Sequence, residues 1–175
     1  MERLSVSLDQ DSLNIIEQYL PKYQGSKADI IRRALQCLND TENVRKKASL
    51  ENIKAYVEYL ANMEHVIVDI ALWKAMCNEI GKGTEEFWEE VYAIGQEHQK
   101  EYFDRGIKNI QNILEFLEKT NAFKLNIDSE NSYTLILAVS ESSKFIKTFL
   151  EGFFNNYPRK VEIAEEYKKI RVRVI

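Results

Sequence analysis

Cysteine, proline, glycine and histidine are all scarce in this chain of 175 residues, and each shortage narrows what it can be. Two cysteines, Cys37 and Cys77, make no disulfide framework. Both fall in helix-patterned segments, so both are expected as buried thiols of a reduced, cytoplasmic protein. Only two prolines and six glycines are present, which excludes collagen-like and low-complexity chains. The two histidines, His65 and His98, have no His-Glu-x-x-His frame and no cysteine pair at zinc spacing. No run approaches the roughly 18 apolar residues that a membrane span needs. The nearest, Val66-Ile67-Val68-Asp69-Ile70-Ala71-Leu72-Trp73, is broken by Asp69. The start, Met1-Glu2-Arg3, alternates polar with apolar side chains and has no signal-peptide core. An excess of positive charge is missing too: 24 Lys and Arg against 28 Asp and Glu give −4. That excludes a uniformly basic nucleic-acid coat protein and leaves room for a local basic site.

What is present is enough apolar surface, 45% of residues, to build one large core or two small ones. The charge is uneven. Residues 1–47 hold 8 basic and 7 acidic residues, and residues 48–175 hold 16 and 21. A slightly basic head on an acidic body suits a small DNA reader joined to a part that need not touch DNA.

In the head, Arg3-Leu4-Ser5-Val6-Ser7-Leu8 alternates strictly. On a strand, Leu4, Val6 and Leu8 would share one face, and Arg3, Ser5 and Ser7 the other. Asp9-Gln10-Asp11-Ser12 is rich in helix-capping residues, and Leu13, Ile16, Tyr19, Leu20 and Tyr23 follow at helical spacing. Gln24-Gly25 stops that helix. Ser26 caps a second one with Asp29 as its third residue, and Ile30, Ile31, Ala34, Leu35 and Leu38 give its apolar face. One strand cannot satisfy its own backbone groups, and two short helices are too little for a core. Two chains pairing their strands antiparallel would remove both defects. The other reading of residues 3–8 is an edge strand of a larger sheet.

Strand, helix, Gly-Ser-Lys turn and helix in this order resemble the ribbon-helix-helix family of DNA-binding repressors, over about residues 2–40. The resemblance implies a homodimer, or a dimer of dimers, that lays a two-stranded ribbon in the major groove of double-stranded DNA. It makes Arg3, Ser5 and Ser7 base-reading positions. It also makes Gly25, Ser26 and Lys27 the turn whose amides anchor a DNA phosphate, a role that a helix N-terminus can fill. Pro21 late in the first helix, and Gly25 one place later than the usual turn glycine, depart from the family pattern. Arg32 and Arg33 are read mainly as surface pairs with neighbours such as Asp29 or Gln36.

Residues 41–64 are read as a linker helix, basic at Arg45-Lys46-Lys47, with Leu50, Ile53, Val57 and Leu60 on one face. Val66, Ile70, Trp73, Cys77 and Ile80 suggest a core helix or a seam between subunits. Gly81-Lys82-Gly83 reads as a helix stop before Thr84, which caps a helix with Phe87, Val91, Ile94, His98 and Tyr102 inward. Gly106 marks a bend before Ile107, Ile110, Leu114 and Leu117. Beyond Asn121 the period changes to two: strands at Phe123-Leu125-Ile127 and at residues 133–139. Ser140 then caps a helix carrying Phe145, Phe149, Leu150 and Phe153, and a hairpin turns around residues 165–168. The fold class expected is α+β, helices followed by β-β-α-β-β in a four-stranded antiparallel sheet.

With Tyr92-Ala93-Ile94-Gly95 on one helix and Phe149-Leu150-Glu151-Gly152-Phe153 on another, residues 65–175 resemble vinyl-reductase-type sensor domains. Those are similar in arrangement to haem nitric-oxide-binding and vesicle-tethering domains. The resemblance implies a small-molecule pocket bordered by Phe145, Phe149, Gly152 and Phe153. The paired cysteines common near the end of that family are absent, so no haem, metal or other cofactor is implied. A domain for packing and dimerisation alone is the other reading. No nucleophile with a base, and no ligand cluster, stands at useful spacing, so an enzyme is not expected. The leading expectation is a sequence-specific transcription regulator that touches no membrane, with a possible small-molecule effector. The alternative is an antitoxin-like or adaptor protein whose body binds a protein partner.

Overall fold

The structure, a computed structural model, describes residues 5–45, 48–61 and 65–175. The chain divides into two compact units, Met1–Val57 and Glu58–Ile175, and the boundary falls inside the stretch read as a linker helix. The class is α+β, with seven α-helices and a four-stranded antiparallel sheet near the C-terminus among the described residues. None of those helices is long and apolar enough to cross a membrane.

In the first unit the first regular element is a helix. Residues 5–9 form no strand, and Arg3 and Leu4 lie outside the described residues. The strand expected at residues 3–8 needs a neighbour to bond to, and none of the described residues 5–8 belongs to the four-stranded sheet. Helix α1 (Gln10–Tyr23) is capped by Asp9, whose Oδ1 accepts from the Ser12 amide at 2.8 Å. It contains Pro21 and ends at Gln24, which takes the left-handed conformation at φ 47°. Helix α2 (Lys27–Arg45) runs on through the polar residues expected to begin the linker. Cys37 on it is exposed, so only Cys77 of the two thiols is buried.

Helix α3 (Leu50–Ala61) crosses the boundary between the units. Val57 and Leu60, expected on its inner side, are exposed, whereas Tyr59 is buried. In the second unit, helix α4 (Ile70–Ile80) starts later than the apolar spacing from Val66 suggests. Asp69 accepts from the amides of Ala71 and Leu72 and so sets the first turn, leaving Val66 and Ile67 outside the helix, each 83% exposed. Thr84 caps α5 (Glu85–Asp104) as its spacing predicts. The buried side of α5 is Val91, Gly95, Gln99 and Tyr102, with Ile94 exposed. The inner face is rotated because α5 meets the next long helix through Gly95 rather than through a bulky residue.

After Gly106, at φ +81°, comes α6 (Ile110–Glu118), capped by Asn109. The sheet follows: β1 (Phe123–Ser129) and β2 (Ser132–Leu137), then β3 (Val161–Glu166) and β4 (Lys169–Val174), in the order β1-β2-β4-β3. Between β2 and β3, residues 140–142 make one 3₁₀ turn before α7 (Ser143–Phe154) begins, so Ser140 opens that turn rather than capping the helix. Register places Tyr133 opposite Val172 and Leu135 opposite Ile170, so the apolar side chains of alternate positions share one face. They pack with Ile113, Leu114, Leu117, Leu150 and Phe153 from α6 and α7 into one core. The polar face carries Arg171 bonded to Glu166 at 2.6 Å, and Thr134 donating to Asp128 at 2.6 Å.

Helices α5 and α7 cross unusually close. A Cβ built at Gly95 would lie 2.2 Å from the Phe149 carbonyl oxygen, and one at Gly152 would lie 2.0 Å from that of Tyr92. The two glycines read from the sequence are thus the two halves of one contact. Nothing larger fits there without separating the helices.

Candidate functional site

The Gly25-Ser26-Lys27 turn stands at the exposed start of α2. Ser26 and Asp29 form a capping box. The Ser26 amide donates to Asp29 Oδ2 at 2.8 Å, its hydroxyl donates to the same oxygen at 2.6 Å, and the Asp29 amide donates to Ser26 Oγ at 3.2 Å. A Cβ at Gly25 would lie 3.1 Å from that of Asp29, so the glycine lets the aspartate fold back over the turn. Arg32 Nη2 binds the other carboxylate oxygen at 2.6 Å. The Ser26 hydroxyl, then Arg32 and the Ser26 amide, hold the Asp29 carboxyl well below the usual range. Lys27 is paired with Glu17 at 3.0 Å, and the Arg33 guanidinium lies 5.2 Å from the centre of the Tyr23 ring. Any phosphate arriving here competes with Asp29 for the Ser26 donors and with Glu17 for Lys27.

Of the positions expected to read bases, Ser5 and Ser7 are exposed, and Arg3 lies outside the described residues. Between and beyond the serines, Val6 is 64% and Leu8 37% exposed.

The four residues expected to border an apolar pocket do something different. Phe145 meets Trp73 edge-on at 5.5 Å, Phe149 meets His98 at 5.5 Å, and Phe153 is fully buried against Tyr102 and Phe154. Gly152 seats the α5 backbone. None of the four lines either cavity described below.

A cavity of about 270 Å³ opens instead beside the other edge of α5. His98, Glu101, Tyr102 and Arg105 reach it from one face of that helix, at spacings of one turn. Glu58 and Tyr59 reach it from the end of α3, and His65 from the segment before α4. Four rings surround it in sequence. Tyr59 and His65 are 4.6 Å apart between centroids, His65 and His98 6.4 Å, and His98 and Tyr102 6.4 Å. The Tyr59 hydroxyl donates to the Phe116 carbonyl at 3.0 Å. Burial pushes the Tyr59 phenol up to about 12 and raises that of Tyr102 as well. Arg105 lies over Phe116 and bonds Glu58 at 3.1 Å and Glu101 at 3.3 Å, and His98 Nδ1 stands 3.5 Å from Glu101. The Nδ1 atom of His65 is buried without a hydrogen-bond partner.

The spacing of His98 with Glu101 and Tyr102 was visible in the sequence. The convergence of His65 and Tyr59 on them was not, because it depends on where α3 and the segment before α4 return to α5. A second, more open cavity of about 520 Å³ lies between the end of α7 and the start of β3, with Glu151, Arg159 and Lys160 among its walls. No group of three metal-ligating side chains occurs among the described residues.

Comparison with protein-family models, with curated proteins and with solved structures finds no match to this chain.

Proposed function

We propose that this chain is a sequence-specific, DNA-binding transcription regulator. It acts as a dimer whose paired N-terminal segments read the major groove, and its C-terminal unit responds to a small molecule. The observation that carries the reading is the unfinished state of the N-terminal unit. Residues 5–8 alternate polar and apolar side chains yet form no strand with any of the described residues. Nearby, Ile15, Ile31, Leu35 and Leu38 remain exposed on α1 and α2. A second copy supplies both missing parts at once, a partner for the strand and a cover for the helices. In that arrangement Val6 and Leu8 face the shared core, and Arg3, Ser5 and Ser7 face base edges. Gly25, Ser26 and Lys27 then meet a phosphate, with the capping box holding the start of α2 in place.

DNA selection with the full chain tests the reading. A preferred sequence should emerge. Arg3→Ala should weaken its binding by about 1–3 kcal/mol and relax base preference, whereas Lys27→Ala should weaken all sequences alike and lower the salt slope by about one. Failure to prefer any DNA over random sequence would overturn it.

A second reading, an antitoxin-like or adaptor protein, is favoured by one feature of the C-terminal unit. Val66 and Ile67 are each 83% exposed, beside the half-exposed Ile70 and Leu72. Such a strip suits a protein partner. Under that reading, Val66→Asp abolishes partner capture and leaves DNA binding intact.

A further inference from the structure

We infer that the cavity holding both histidines of the chain binds a small organic cation, an amine or amidine. Its charge would be taken by Glu58 and Glu101, and its body would lie against the rings of Tyr59, His65, His98 and Tyr102. Three observations point to a cation. The walls carry two carboxylates and one guanidinium, so with neutral imidazoles the cavity holds one net negative charge. Arg105 bonds one oxygen of each carboxylate and so sits between Glu58 and Glu101, which places two negative groups around its single positive one. The rest of the wall is aromatic, and ring faces carry the negative side of their quadrupole toward a cation.

Two further features describe the guest. A volume of about 270 Å³ is at the small end for ligand sites, which suits a single ring or a short chain. The buried, unpartnered His65 Nδ1 costs stability as it stands, and a ligand N–H is one partner that would satisfy it. A three-ligand metal site has no support among the described residues. That the cation acts as the effector rests on the regulator reading. That it binds does not.

The chain's two histidines make the test specific, because every imidazole signal reports this cavity. The full chain is titrated by NMR with benzamidine and, at equal ionic strength, with benzoate, a planar molecule of the same shape and opposite charge. Benzamidine is expected to shift both imidazoles saturably and benzoate to leave them unmoved. Glu101→Gln, a partly exposed site whose melting temperature serves as the folding control, should weaken benzamidine at least about fivefold. Benzoate binding as well as benzamidine, neither binding, or zinc chloride alone moving the imidazoles would each overturn the proposal. DNA affinity is measured on the same samples. Benzamidine binding without any selective DNA binding would defeat the regulator reading and leave the cation site standing.

Discussion

The two units of this chain finish their folding differently. Among the described residues, the C-terminal unit closes sixteen buried apolar side chains into one core, with sheet and helices sealed by a glycine-to-backbone crossing. The N-terminal unit, with helices as long as those of its neighbour, leaves Val6, Ile15, Leu35 and Leu38 between 46% and 64% exposed. Helical amphipathicity is therefore not the difference. One unit gathers its sheet and helices around a shared core, with an exposed apolar strip at Val66, Ile67, Ile70 and Leu72 among its first residues, and the other buries Ile16 and Ile30 while most of its apolar faces stay open.

The comparison can be broken most forcefully at the crossing of α5 and α7. Gly152→Ala puts a methyl where a Cβ would lie 2.0 Å from the Tyr92 carbonyl oxygen, and should cost about 3 kcal/mol or more in the C-terminal unit. Thermal unfolding followed separately in the two units checks it; an unchanged melt of the C-terminal unit would contradict the tight crossing. Next in size is Leu35→Asp. On a surface residue of a monomer this substitution is nearly neutral. If Leu35, 60% exposed in one copy, is covered by a second, the loss is about 2 kcal/mol per copy. Concentration-dependent helicity by circular dichroism separates the two cases.

A smaller effect sharpens the picture of the polar cavity. Tyr59 and Tyr102 have phenols raised by burial. Below the ordinary tyrosine range, about pH 10, folded and unfolded chains are both protonated and nothing is lost. Above it the unfolded chain ionises first, so stability falls as pH rises, by up to about 1.4 kcal/mol per pH unit for each tyrosine. For Tyr59 the loss is complete once the folded phenol ionises near about 12. Tyr59→Phe should flatten the alkaline limb of the denaturation profile. The smallest effect belongs to Asp29. Its depressed carboxyl supports α2 above the ordinary aspartate range, and that support is lost as pH falls through the folded value. Asp29→Asn should remove this acid limb and, by freeing the Ser26 donors, raise affinity for any anion at the turn.

Local signals were legible where one side chain settles the matter. Asp9, Ser26 and Thr84 cap helices because their oxygens reach amides three residues on, whereas the cap at Asn109 went unread. Apolar alternation and turn residues marked the four strands of the antiparallel sheet, while their order β1-β2-β4-β3 was not read, because the β2–β4 pairing joins strands that no short turn connects. Failures came where burial depends on distant partners. Ile94 and Val57 have the spacing of core residues, yet close approach at Gly95 and the return of Tyr59 put other residues inward. Asp69 overrode an apolar period that began at Val66, since a cap satisfies amides that packing cannot. The residues read as bordering an aromatic pocket and those of the polar cavity differ in how they are joined in sequence. Phe149 and Phe153 are contiguous with the core, and the polar cavity stands on residues from three separate segments that no spacing rule joins.

The central claim is that the N-terminal unit is completed by a second copy through its first residues. Amide hydrogen exchange of the full chain across a range of protein concentration tests it directly. The account predicts that amides of residues 5–8 become protected as dimer forms, in the alternating pattern of a two-stranded antiparallel ribbon. A stable, fully folded monomer, or a dimer in which those amides exchange as fast as an unstructured chain, would contradict it.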